Sequence, residues 1–415
     1  MTLRARIVRG AVEIGGSCIE LECGGYRLIL DLGLPLSSQN DSLPDISGLR
    51  EADPTLLGIV LSHPHMDHCG LIDRVRPDIP IYMGEAAARI LNEAAFFIGK
   101  RSALVPAQPL THEKPIQIGP FRVTPFLNDH SAFDAYSLLV EAEGRRLFYT
   151  GDLRAHGRKP GCFRRLLRSP PADVDVLLME GTRLGRQERS RETTEEDVEH
   201  AAVEVFRRAR GSVLAFYSPQ NVDRLVSLYR ACIRSGRILV LDLYAHSIAV
   251  ATGRASIPRA SFDQVRIYLP HRQKAFVKRE RAFHRTDAVR EARIYPEEMA
   301  SRGSELVFTF RQSMAAELES MGCLADAEAI WSMWPGYLDE ASGRETSEWL
   351  ESRGIPMSII HSSGHASLLD LQRLVEAMLP ARVVPIHTEA PEEFVRCFPN
   401  VEQWADGEWR RIQRD

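Results

Sequence analysis

The stretch VLSHPHMDHCG, from Val60 to Gly70, places His63, His65, Asp67 and His68 within six residues. Neutral imidazoles and carboxylates are the natural protein ligands of zinc and similar divalent cations. The stretch follows the apolar run GIVLS, so we expect its side chains on a loop at the end of a strand, held by a rigid sheet. The alternative is a surface loop that is rich in histidine by chance. Four ligand-type residues at this spacing favour a metal site.

Three further ligand-type residues follow or end strand-like runs: His130 in LNDHSAF, Asp152 in YTGDLR and His387 in VVPIHTE. Taken singly, the aspartate could shape a turn and each histidine could be a hydrogen-bonded bystander. Together with the first stretch they supply more ligands than one ion needs, and the cysteine pattern of a closed structural zinc site is missing. The sequence therefore indicates a catalytic two-metal hydrolytic site.

The composition sets the broad class of the protein. With 415 residues, the chain can form two domains or one large interrupted domain. A hydrophobic share of 44% and a charged share of 26% are typical of a globular protein. The net charge of −4 indicates neither a nucleic acid nor a membrane partner, although a basic surface could exist locally.

The cysteines and the N-terminal sequence predict the compartment. Seven cysteines, an odd number without a CxxC pair, favour reduced thiols in a cytoplasmic protein. The N-terminal residues MTLRARIVRGAVEIGG contain no apolar segment of signal-peptide length. No later run approaches the ~20 apolar residues of a membrane span. We therefore expect a soluble, cytoplasmic protein without a membrane partner.

The order of apolar runs predicts the domain organisation. Short strand-like runs dominate the first part of the chain, with a helix over Gly84 to Ile98. From about Thr182, strands alternate with helices, which is typical of βαβ units in a layered α/β fold. We predict a first part of one domain over residues 1–182, an inserted α/β unit over 183–352, and the closing part of the first domain over 353–415.

The motifs resemble those of a known superfamily. The segment from His63 to His68 matches the HxHxDH motif of the metallo-β-lactamase superfamily, and Asp31, His130 and Asp152 fall where its other signature residues are expected. The resemblance implies an αββα sandwich.

Three further motifs resemble the β-CASP branch of that superfamily, which processes nucleic acids. They are Glu180 in MEGT, His365 in HSSGHAS and His387 in PIHTEAP. Within this branch the chain is similar to ribonuclease J-like and cleavage-factor-like RNA-processing nucleases. The resemblance implies that the inserted α/β unit is a β-CASP domain.

The resemblance also implies a set of metal ligands for two divalent cations. Zinc is the expected metal, and manganese suits the same ligand types. The first cation would be held by His63, His65, His130 and Asp152. The second would be held by Asp67, His68 and His387, with Asp152 bridging. Asp31 and Glu180 resemble residues that orient these ligands.

The chemistry of a phosphodiester assigns two catalytic roles. Attack by water adds negative charge to the phosphoryl oxygens, which two cations can stabilise while they lower the pKa of a bridging water. Asp67 is the natural group to orient that water or to accept its proton. His365, as an imidazolium, suits the departing oxygen.

The substrate class also follows from the resemblance. A histidine in the last motif, as at His387, is the pattern of RNA-directed members, whereas DNA-directed members carry valine there. The small residues of HSSGHASLLD enter a helix near Ser367, and such loops present backbone N–H groups to anions. In ribonuclease J-like enzymes this loop resembles a pocket for a 5′-terminal phosphate. The expected pocket residues are Ser363, Gly364, His365, Ala366 and Ser367.

A 5′-phosphate pocket predicts 5′ to 3′ exonuclease action on single-stranded RNA with a 5′-monophosphate, alongside endonuclease activity. A plain helix cap without a ligand is the alternative reading of this loop. A homodimer is one assembly that the resemblance allows.

A basic run, HRQKAFVKRERAFHR, spans residues 271–285 and interleaves lysines and arginines with Phe276 and Phe283. Neutralising phosphates while stacking bases is one way to hold single-stranded nucleic acid. A charged helix face with two core phenylalanines is the alternative.

Other functions compete with RNA cleavage. A metallo-hydrolase of small molecules, such as a thioester or a lactam, would not need the inserted unit or the motifs at Glu180, His365 and His387. A DNA-directed nuclease is disfavoured by His387. A catalytically inactive RNA-binding subunit is disfavoured because every expected ligand is present.

Overall fold

The computed structural model describes residues 2–36, 42–100, 103–186 and 192–413. The chain divides into two compact units. Unit 1 comprises Met1–Leu91, Ser102–Glu192 and Gly364–Asp415, and unit 2 comprises Asn92–Arg101 and Thr193–Ser363. The domain boundaries at 182/183 and 352/353 stay a prediction from the sequence.

The strands of the described residues are named in chain order. They are β1 (Arg4–Arg9), β2 (Cys18–Cys23), β3 (Tyr26–Leu30), β4 (Leu56–Val60), β5 (Ile81–Gly84), β6 (Gln108–Leu110), β7 (Ile116–Ile118), β8 (Phe121–Leu127), β9 (Tyr136–Ala142), β10 (Arg145–Tyr149), β11 (Val176–Glu180), β12 (Val213–Phe216), β13 (Ile238–Asp242), β14 (Val265–Tyr268), β15 (Leu306–Phe310), β16 (Glu328–Trp331), β17 (Met357–Ile359), β18 (Arg382–Ile386) and β19 (Arg410–Arg411).

The α-helices are named in the same way, and short 3₁₀ turns connect some of them. They are α1 (Met66–Cys69), α2 (Glu85–Phe97), α3 (Pro160–Arg168), α4 (Glu195–Arg208), α5 (Val222–Ser235), α6 (Leu243–Ala251), α7 (His271–Arg279), α8 (His284–Asp287), α9 (Pro296–Ser301), α10 (Ala315–Ser320), α11 (Ala341–Glu351), α12 (Leu368–Met378) and α13 (Pro391–Cys397). None of the helices in the described ranges is long and apolar enough to cross a membrane.

Unit 1 contains two sheets. One sheet has the order β19-β1-β2-β3-β4-β5-β6, and the other has the order β18-β11-β10-β9-β8-β7. Their facing sides share one core, in which Leu21 of β2 and Val140 of β9 are both fully buried. Sheets that pack face to face bury their inward residues in this way.

Helices cover the outer faces of both sheets in unit 1. Residues of α2 pack with Ile59 of β4 on one side. On the other side, α3 and α12 pack over β10 and β11, with Phe163 and Leu374 in the same buried cluster as Leu177. Unit 1 is therefore an αββα sandwich, which confirms the fold class expected from the sequence.

Strand β9 shows why the central strands are apolar on both faces. Leu138 and Val140 point into the core between the sheets, whereas Leu139 points into the cluster under the helices. Because side chains alternate along a strand, a strand buried on both faces needs a continuous apolar run. The run YSLLV meets this requirement.

Unit 2 is an α/β unit around one parallel sheet. Its strands follow the order β14-β13-β15-β12-β16-β17, and all neighbouring pairs are parallel. Helix α4 opens the unit with a capping box between Thr194 and Asp197, and it has acidic residues in its first turn and arginines in its last. The alternating strand and helix pattern predicted for this part of the chain is confirmed.

Candidate metal centre

The carboxyl ends of several strands in unit 1 deliver the side chains predicted for the site. His63 lies just after β4, Asp152 just after β10, Glu180 ends β11, and His387 directly follows β18. Strand ends on the same edge of a sheet bring together residues that are far apart in sequence. The structure brings together every predicted metal ligand.

The motif between His63 and His68 does not lie wholly on a loop. His63 lies outside helices and strands, His65 is an N-cap with extended backbone, and Asp67 and His68 belong to the one-turn helix α1. The carbonyl of His65 accepts the N–H groups of His68 at 3.0 Å and Cys69 at 2.9 Å, which closes the turn. The expectation of a loop is corrected here for Asp67 and His68, because these hydrogen bonds close a helical turn that contains both residues.

The first group of candidate ligands unites His63, His65, His130 and Asp152, whose ligand atoms all lie within 4.8 Å of one another. Nε2 of His63 lies 3.6 Å and Nε2 of His130 lies 3.9 Å from Oδ2 of Asp152. Nε2 of His130 also lies 3.1 Å from Nδ1 of His65. Nitrogens that converge in this way fit ligands that share one cation.

The second group unites Asp67, His68, Asp152 and His387, again with ligand atoms within 4.8 Å of one another. Nε2 of His68 lies 3.3 Å from Oδ2 of Asp152, and Nε2 of His387 lies 3.2 Å from Oδ2 of Asp67. Asp152 belongs to both groups. One carboxylate between two ligand sets is the arrangement expected of a site for two cations.

Several ligand atoms in these groups are buried without a hydrogen-bond partner among the described residues. They are Nε2 of His63, Nε2 of His68 and both carboxylate oxygens of Asp152. A buried carboxylate without a partner costs several kcal/mol, so such groups normally bind a cation or a donor. These histidine nitrogens and carboxylate oxygens therefore fit the ligands of a metal centre.

The protons of two imidazoles are fixed through Asp31, which is fully buried. The Asp31 carboxylate accepts from Nδ1 of His68 at 2.8 Å and from the hydroxyl of Ser62 at 2.7 Å. Because the Ser62 hydroxyl donates to Asp31, it accepts from Nδ1 of His63 at 3.0 Å. Both imidazoles are therefore protonated at Nδ1 and turn Nε2 toward the centre.

The same logic applies to His130 and His387. Nδ1 of His130 donates to the carbonyl of Gly364 at 2.6 Å. The Thr182 hydroxyl donates to Glu180 at 2.7 Å and accepts from Nδ1 of His387 at 2.8 Å. These partners leave Nε2 of each ring as the free ligand atom.

Glu180 and His365 adjoin the two ligand groups. Nδ1 of His365 donates to Oε2 of Glu180 at 3.1 Å and lies 3.7 Å from Oδ2 of Asp152. Glu180 also accepts from the backbone N–H of Leu153 at 3.1 Å. The Glu180 carboxylate therefore holds the His365 ring at the edge of the candidate centre, where its side chain is 21% exposed.

The electrostatics of the site separate neutral from charged groups. Burial lowers the pKa of His63 and His130 well below the usual value, and neighbouring imidazoles lower it further. Burial would raise the pKa of Asp152, but His68, His387 and His365 hold it well below its usual value. Neutral imidazoles and an ionised carboxylate are the forms that bind a cation.

Two histidines near the carboxylates behave in the opposite way. Burial would lower the pKa of His68, but Asp152 and Asp67 raise it well above its usual value. Burial would also lower the pKa of His365, but Glu180 and Asp152 raise it to about 9. His365 is therefore an imidazolium at neutral pH when no cation is bound.

The loop predicted to bind phosphate enters α12. Ser367 is the N-cap of this helix, and its hydroxyl accepts from the N–H of Asp370 at 3.2 Å. A Cβ at Gly364 would come within 2.8 Å of the Ser131 hydroxyl, so a larger residue here would require the Ser131 side chain to move. Ser363 belongs to unit 2, and the chain enters unit 1 at Gly364. Capping of α12 accounts for a serine at position 367. A phosphate-binding role of the loop stays a prediction.

The sequence did not reveal the partners that orient the ligands. Ser62, Tyr149 and Thr182 are buried hydroxyls, and the Tyr149 hydroxyl donates to Asp31 at 2.7 Å. Thr182 is the last residue of the MEGT motif, two residues after Glu180. Of these three hydroxyl residues, it alone could have been suspected from its position in a motif.

Comparison with known proteins gives one family-model match and several similar proteins. A family model described as a beta-lactamase superfamily domain matches residues 26–216. Ribonuclease J of Mycobacterium tuberculosis H37Rv is 24% identical over 93% of this chain and 68% of its own length. Ribonuclease J of Sinorhizobium meliloti is 23% identical over 89% of this chain and 65% of its own. An RNase J-like protein of Methanocaldococcus jannaschii is 24% identical over 57% of this chain and 56% of its own.

The chain spans only part of these curated relatives, down to 43% of the length of ribonuclease J from Mycolicibacterium smegmatis. A solved structure covers more of the chain. A protein of unknown function from Enterococcus faecalis V583 aligns over 99% of this chain and 100% of its own, with a TM-score of 0.80 and 20% identity. Residues 26–216 thus match a beta-lactamase superfamily domain, the αββα sandwich agrees with that match, and over most of its length the chain is similar to ribonuclease J proteins.

Proposed function

We propose that the protein is a metal-dependent ribonuclease that hydrolyses phosphodiester bonds of single-stranded RNA. The observation that carries this proposal is the pair of ligand groups that share Asp152, whose two buried carboxylate oxygens have no hydrogen-bond partner in the described part of the chain. A buried carboxylate in this state normally binds a cation or a donor, and two adjacent cations would suit phosphoryl transfer to water.

The ligand assignment follows the two groups. His63, His65, His130 and Asp152 would hold one cation, and Asp67, His68, Asp152 and His387 would hold the other. When bound, the cations would supply positive charge that lowers the pKa of water and offsets the charge on the phosphoryl oxygens. Histidine and carboxylate ligands suit zinc, and manganese is the second choice.

Two side chains would handle the protons of the reaction. Asp67 is ionised, because His68 and His387 outweigh the effect of burial and hold its pKa below the usual value. It can therefore orient the attacking water and accept its proton. His365 is held by Glu180 at the edge of the ligand groups, so its protonated form would be placed to donate a proton to the oxygen that departs from phosphorus.

RNA is the proposed substrate, and the names of the relatives support it, since several are ribonuclease J proteins. His387 in the last motif supports the same choice. We further propose that the loop from Ser363 to Ser367 receives a 5′-terminal phosphate through backbone N–H groups at the start of α12. Such a pocket would favour 5′ to 3′ release of mononucleotides, with internal cleavage as a second mode.

The test is a cleavage assay on end-labelled single-stranded RNA with a 5′-monophosphate, a 5′-triphosphate or a 5′-hydroxyl, beside matched DNA. The protein is stripped with a chelator and reloaded with zinc or with manganese. We expect metal-dependent cleavage of RNA, fastest from the 5′-monophosphate, and a loss of at least a hundredfold in the Asp67→Ala/His68→Ala variant.

The matched control is His200→Ala, since His200 is an exposed histidine of α4 in unit 2. This variant should keep the wild-type rate. Internal cuts that ignore the 5′ end would keep the nuclease and discard the phosphate pocket. Cleavage of DNA at an equal rate would discard the RNA preference. Absence of cleavage by metal-loaded protein, together with hydrolysis of a thioester or a lactam, would overturn the proposal.

A further inference from the structure

The parallel sheet of unit 2 has a topological switch point at its carboxyl edge, between β13 and β15. From β13 the chain runs through α6 to β14, its neighbour on one side. From β15 it runs through α10 to β16, which lies on the opposite side beyond β12. In open parallel sheets, ligands bind at such switch points, because the two connecting segments leave a gap between them.

Polar and aromatic residues lie at this switch point and in the helices next to it. Asp242 is the last residue of β13, Arg311 directly follows β15, and Tyr217 directly follows β12. Tyr244 lies in the first turn of α6, and Gln273 lies in the first turn of α7. We refer to these five residues as the edge cluster. All five belong to unit 2.

Asp242 organises the edge cluster. Its Oδ1 accepts from the N–H of Ala245 at 2.8 Å and caps α6. Its Oδ2 accepts from Nε2 of Gln273 at 2.6 Å and forms an ion pair with Arg311. The carboxylate is fully buried, whereas the Arg311 side chain is 30% exposed. Arg311 therefore has one side held by Asp242 and donors left over for a ligand.

Two buried polar atoms of the edge cluster have no hydrogen-bond partner among the residues that the structure describes. They are the hydroxyl of Tyr217, a residue that is 3% exposed, and Oε1 of Gln273. The Tyr217 hydroxyl is close enough to interact electrostatically with Arg311 and Tyr244. An unpartnered buried hydroxyl is unfavourable, and a ligand at this position would give it a hydrogen-bond partner.

The available groups define the chemistry of the ligand. Arg311 and Tyr217 offer donors and Gln273 offers an acceptor, so the ligand must present both acceptors and donors. The Arg311 guanidinium lies 5.3 Å from the centre of the Tyr244 ring, which places a cation beside an aromatic ring. A nucleobase combines a planar ring with donors and acceptors along its edge.

The surroundings of the edge cluster favour an anionic ligand. Helix α7, which carries Gln273, also carries exposed Arg272, Lys274 and Lys278. Between residues 271 and 285 the sequence has six lysines and arginines against a single acidic residue. A phosphate group is attracted to such a field.

We infer that the edge cluster is a nucleotide-binding site of unit 2. The ligand is a nucleotide, either free or as one unit of a single-stranded RNA, with its base against Tyr244 and Arg311 and its base edge paired with Tyr217 and Gln273. As an RNA-holding site, this inference rests on the proposed ribonuclease function and deepens it. As a site for a free nucleotide, it stands by itself.

The test measures binding to the full chain by isothermal titration calorimetry. The probes are UMP, CMP, AMP and GMP, and an RNA decamer titrated in the presence of a chelator, so that metal-dependent hydrolysis does not occur. The decisive variant is Tyr217→Phe, which removes only the unpartnered hydroxyl. We expect about a tenfold rise in Kd for the preferred mononucleotide, with an unfolding temperature equal to or above that of the wild type, because no hydrogen bond is lost.

The matched control is Tyr229→Phe on α5, a tyrosine outside the edge cluster, which should bind as the wild type does. Arg311→Lys, which keeps the charge near Asp242, should also weaken binding. The Asp67→Ala/His68→Ala variant lacks candidate metal ligands but should keep the binding that depends on Tyr217. A mononucleotide effect without a decamer effect identifies a free nucleotide as the ligand, and an effect on both identifies RNA.

Two outcomes separate the inference from the proposed function. If RNA is cleaved but Tyr217→Phe binds every probe as tightly as the wild type, the nucleotide site is wrong and the ribonuclease stands. If nucleotides bind in a manner that depends on Tyr217 but RNA is not cleaved, the site stands and the ribonuclease is wrong. A fall in the unfolding temperature of Tyr217→Phe would show that the hydroxyl has a structural partner, and would also overturn the inference.

Discussion

Single hydroxyl groups determine which ring nitrogen of a candidate histidine ligand carries the proton. A threonine hydroxyl has one proton to donate, and Thr182 gives it to the carboxylate of Glu180. Nδ1 of His387 must then carry the proton of the second contact, at 2.8 Å. His387 also has a φ of 54°, in the left-handed region that side chains rarely adopt. Backbone strain of this kind is found where a side chain must point in one direction.

We predict that Thr182→Val weakens metal binding by roughly tenfold to a hundredfold, since valine keeps the shape but cannot hold the His387 ring. Thr182→Ser keeps the hydroxyl and should retain most of the affinity. The measurement is competition with a chromophoric chelator, followed without any substrate. Equal affinities for the valine and serine variants would show that the hydroxyl does not orient the ligand.

His246 predicts how the free energy of unfolding depends on pH. It lies on α6, is 8% exposed, and its Nδ1 accepts from the N–H of Ala260 at 3.4 Å. Burial, assisted by Arg259, lowers its pKa from 6.5 to about 4. The unfolded chain therefore binds more protons than the folded chain in this window, so the free energy of unfolding falls as the pH drops from 6.5 toward 4.

For His246→Gln we predict that this contribution disappears, because a glutamine carbonyl can accept the same N–H without titrating. The wild type should lose about 3 kcal/mol more than the variant between pH 7 and pH 4. Urea unfolding at several pH values measures the difference between the two proteins. Parallel pH profiles would mean that His246 titrates normally in the folded state.

At the scale of elements, local periodicity was enough to predict most strands and helices. The run CIELEC coincides with β2, and the helix expected over Gly84 to Ile98 is observed at Glu85–Phe97. Local patterns carry this information because alternation and helical spacing are properties of neighbouring residues. They do not carry strand order, so the position of β15 between β13 and β12 could not be read from the sequence.

The end of α4 depends on a side chain from another element. Arg237, just before β13, donates to the carbonyls of Phe206, Ala209 and Gly211 at 2.6, 2.5 and 2.9 Å. These carbonyls lie at and beyond the last turn of the helix, where intrahelical donors are missing. A buried guanidinium satisfies all three and also complements the helix dipole.

We expect Arg237→Met to lower the free energy of unfolding by roughly 3 kcal/mol, because buried carbonyls lose a charged donor. Arg237→Lys should lose less, since one ammonium can still reach part of the set. The control is Arg230→Met on α5, where the arginine is 57% exposed and the change should stay within about 0.5 kcal/mol. Circular dichroism during urea unfolding gives the comparison, and equal losses at the two positions would contradict the role of Arg237.

For the whole molecule, the sequence revealed the ligands but not the network around them. The HxHxDH segment and the later motifs stand out because their residue types are chemically unusual in strand-end positions. The orienting contacts are separated by much longer stretches of chain: 205 residues between Thr182 and His387, and 234 between His130 and Gly364. Such contacts arise from tertiary packing, and no local pattern marks Ser62 or Tyr149 as partners of Asp31.

Metal binding should stabilise unit 1 selectively, because every candidate ligand from His63 to His387 lies in that unit. A cation that binds only the folded state adds free energy of unfolding to the part of the chain that holds it. We predict that chelation increases amide hydrogen exchange in peptides covering β4, β10, β11 and β18, and leaves the strands of unit 2 unchanged. Mass spectrometry of metal-loaded and chelated protein measures both units in one experiment. The control is Asp152→Asn, which weakens both ligand groups, so amide exchange in unit 1 of this variant should be the same with and without metal. If chelation increases exchange equally in both units of the wild type, the stabilising cations bind elsewhere.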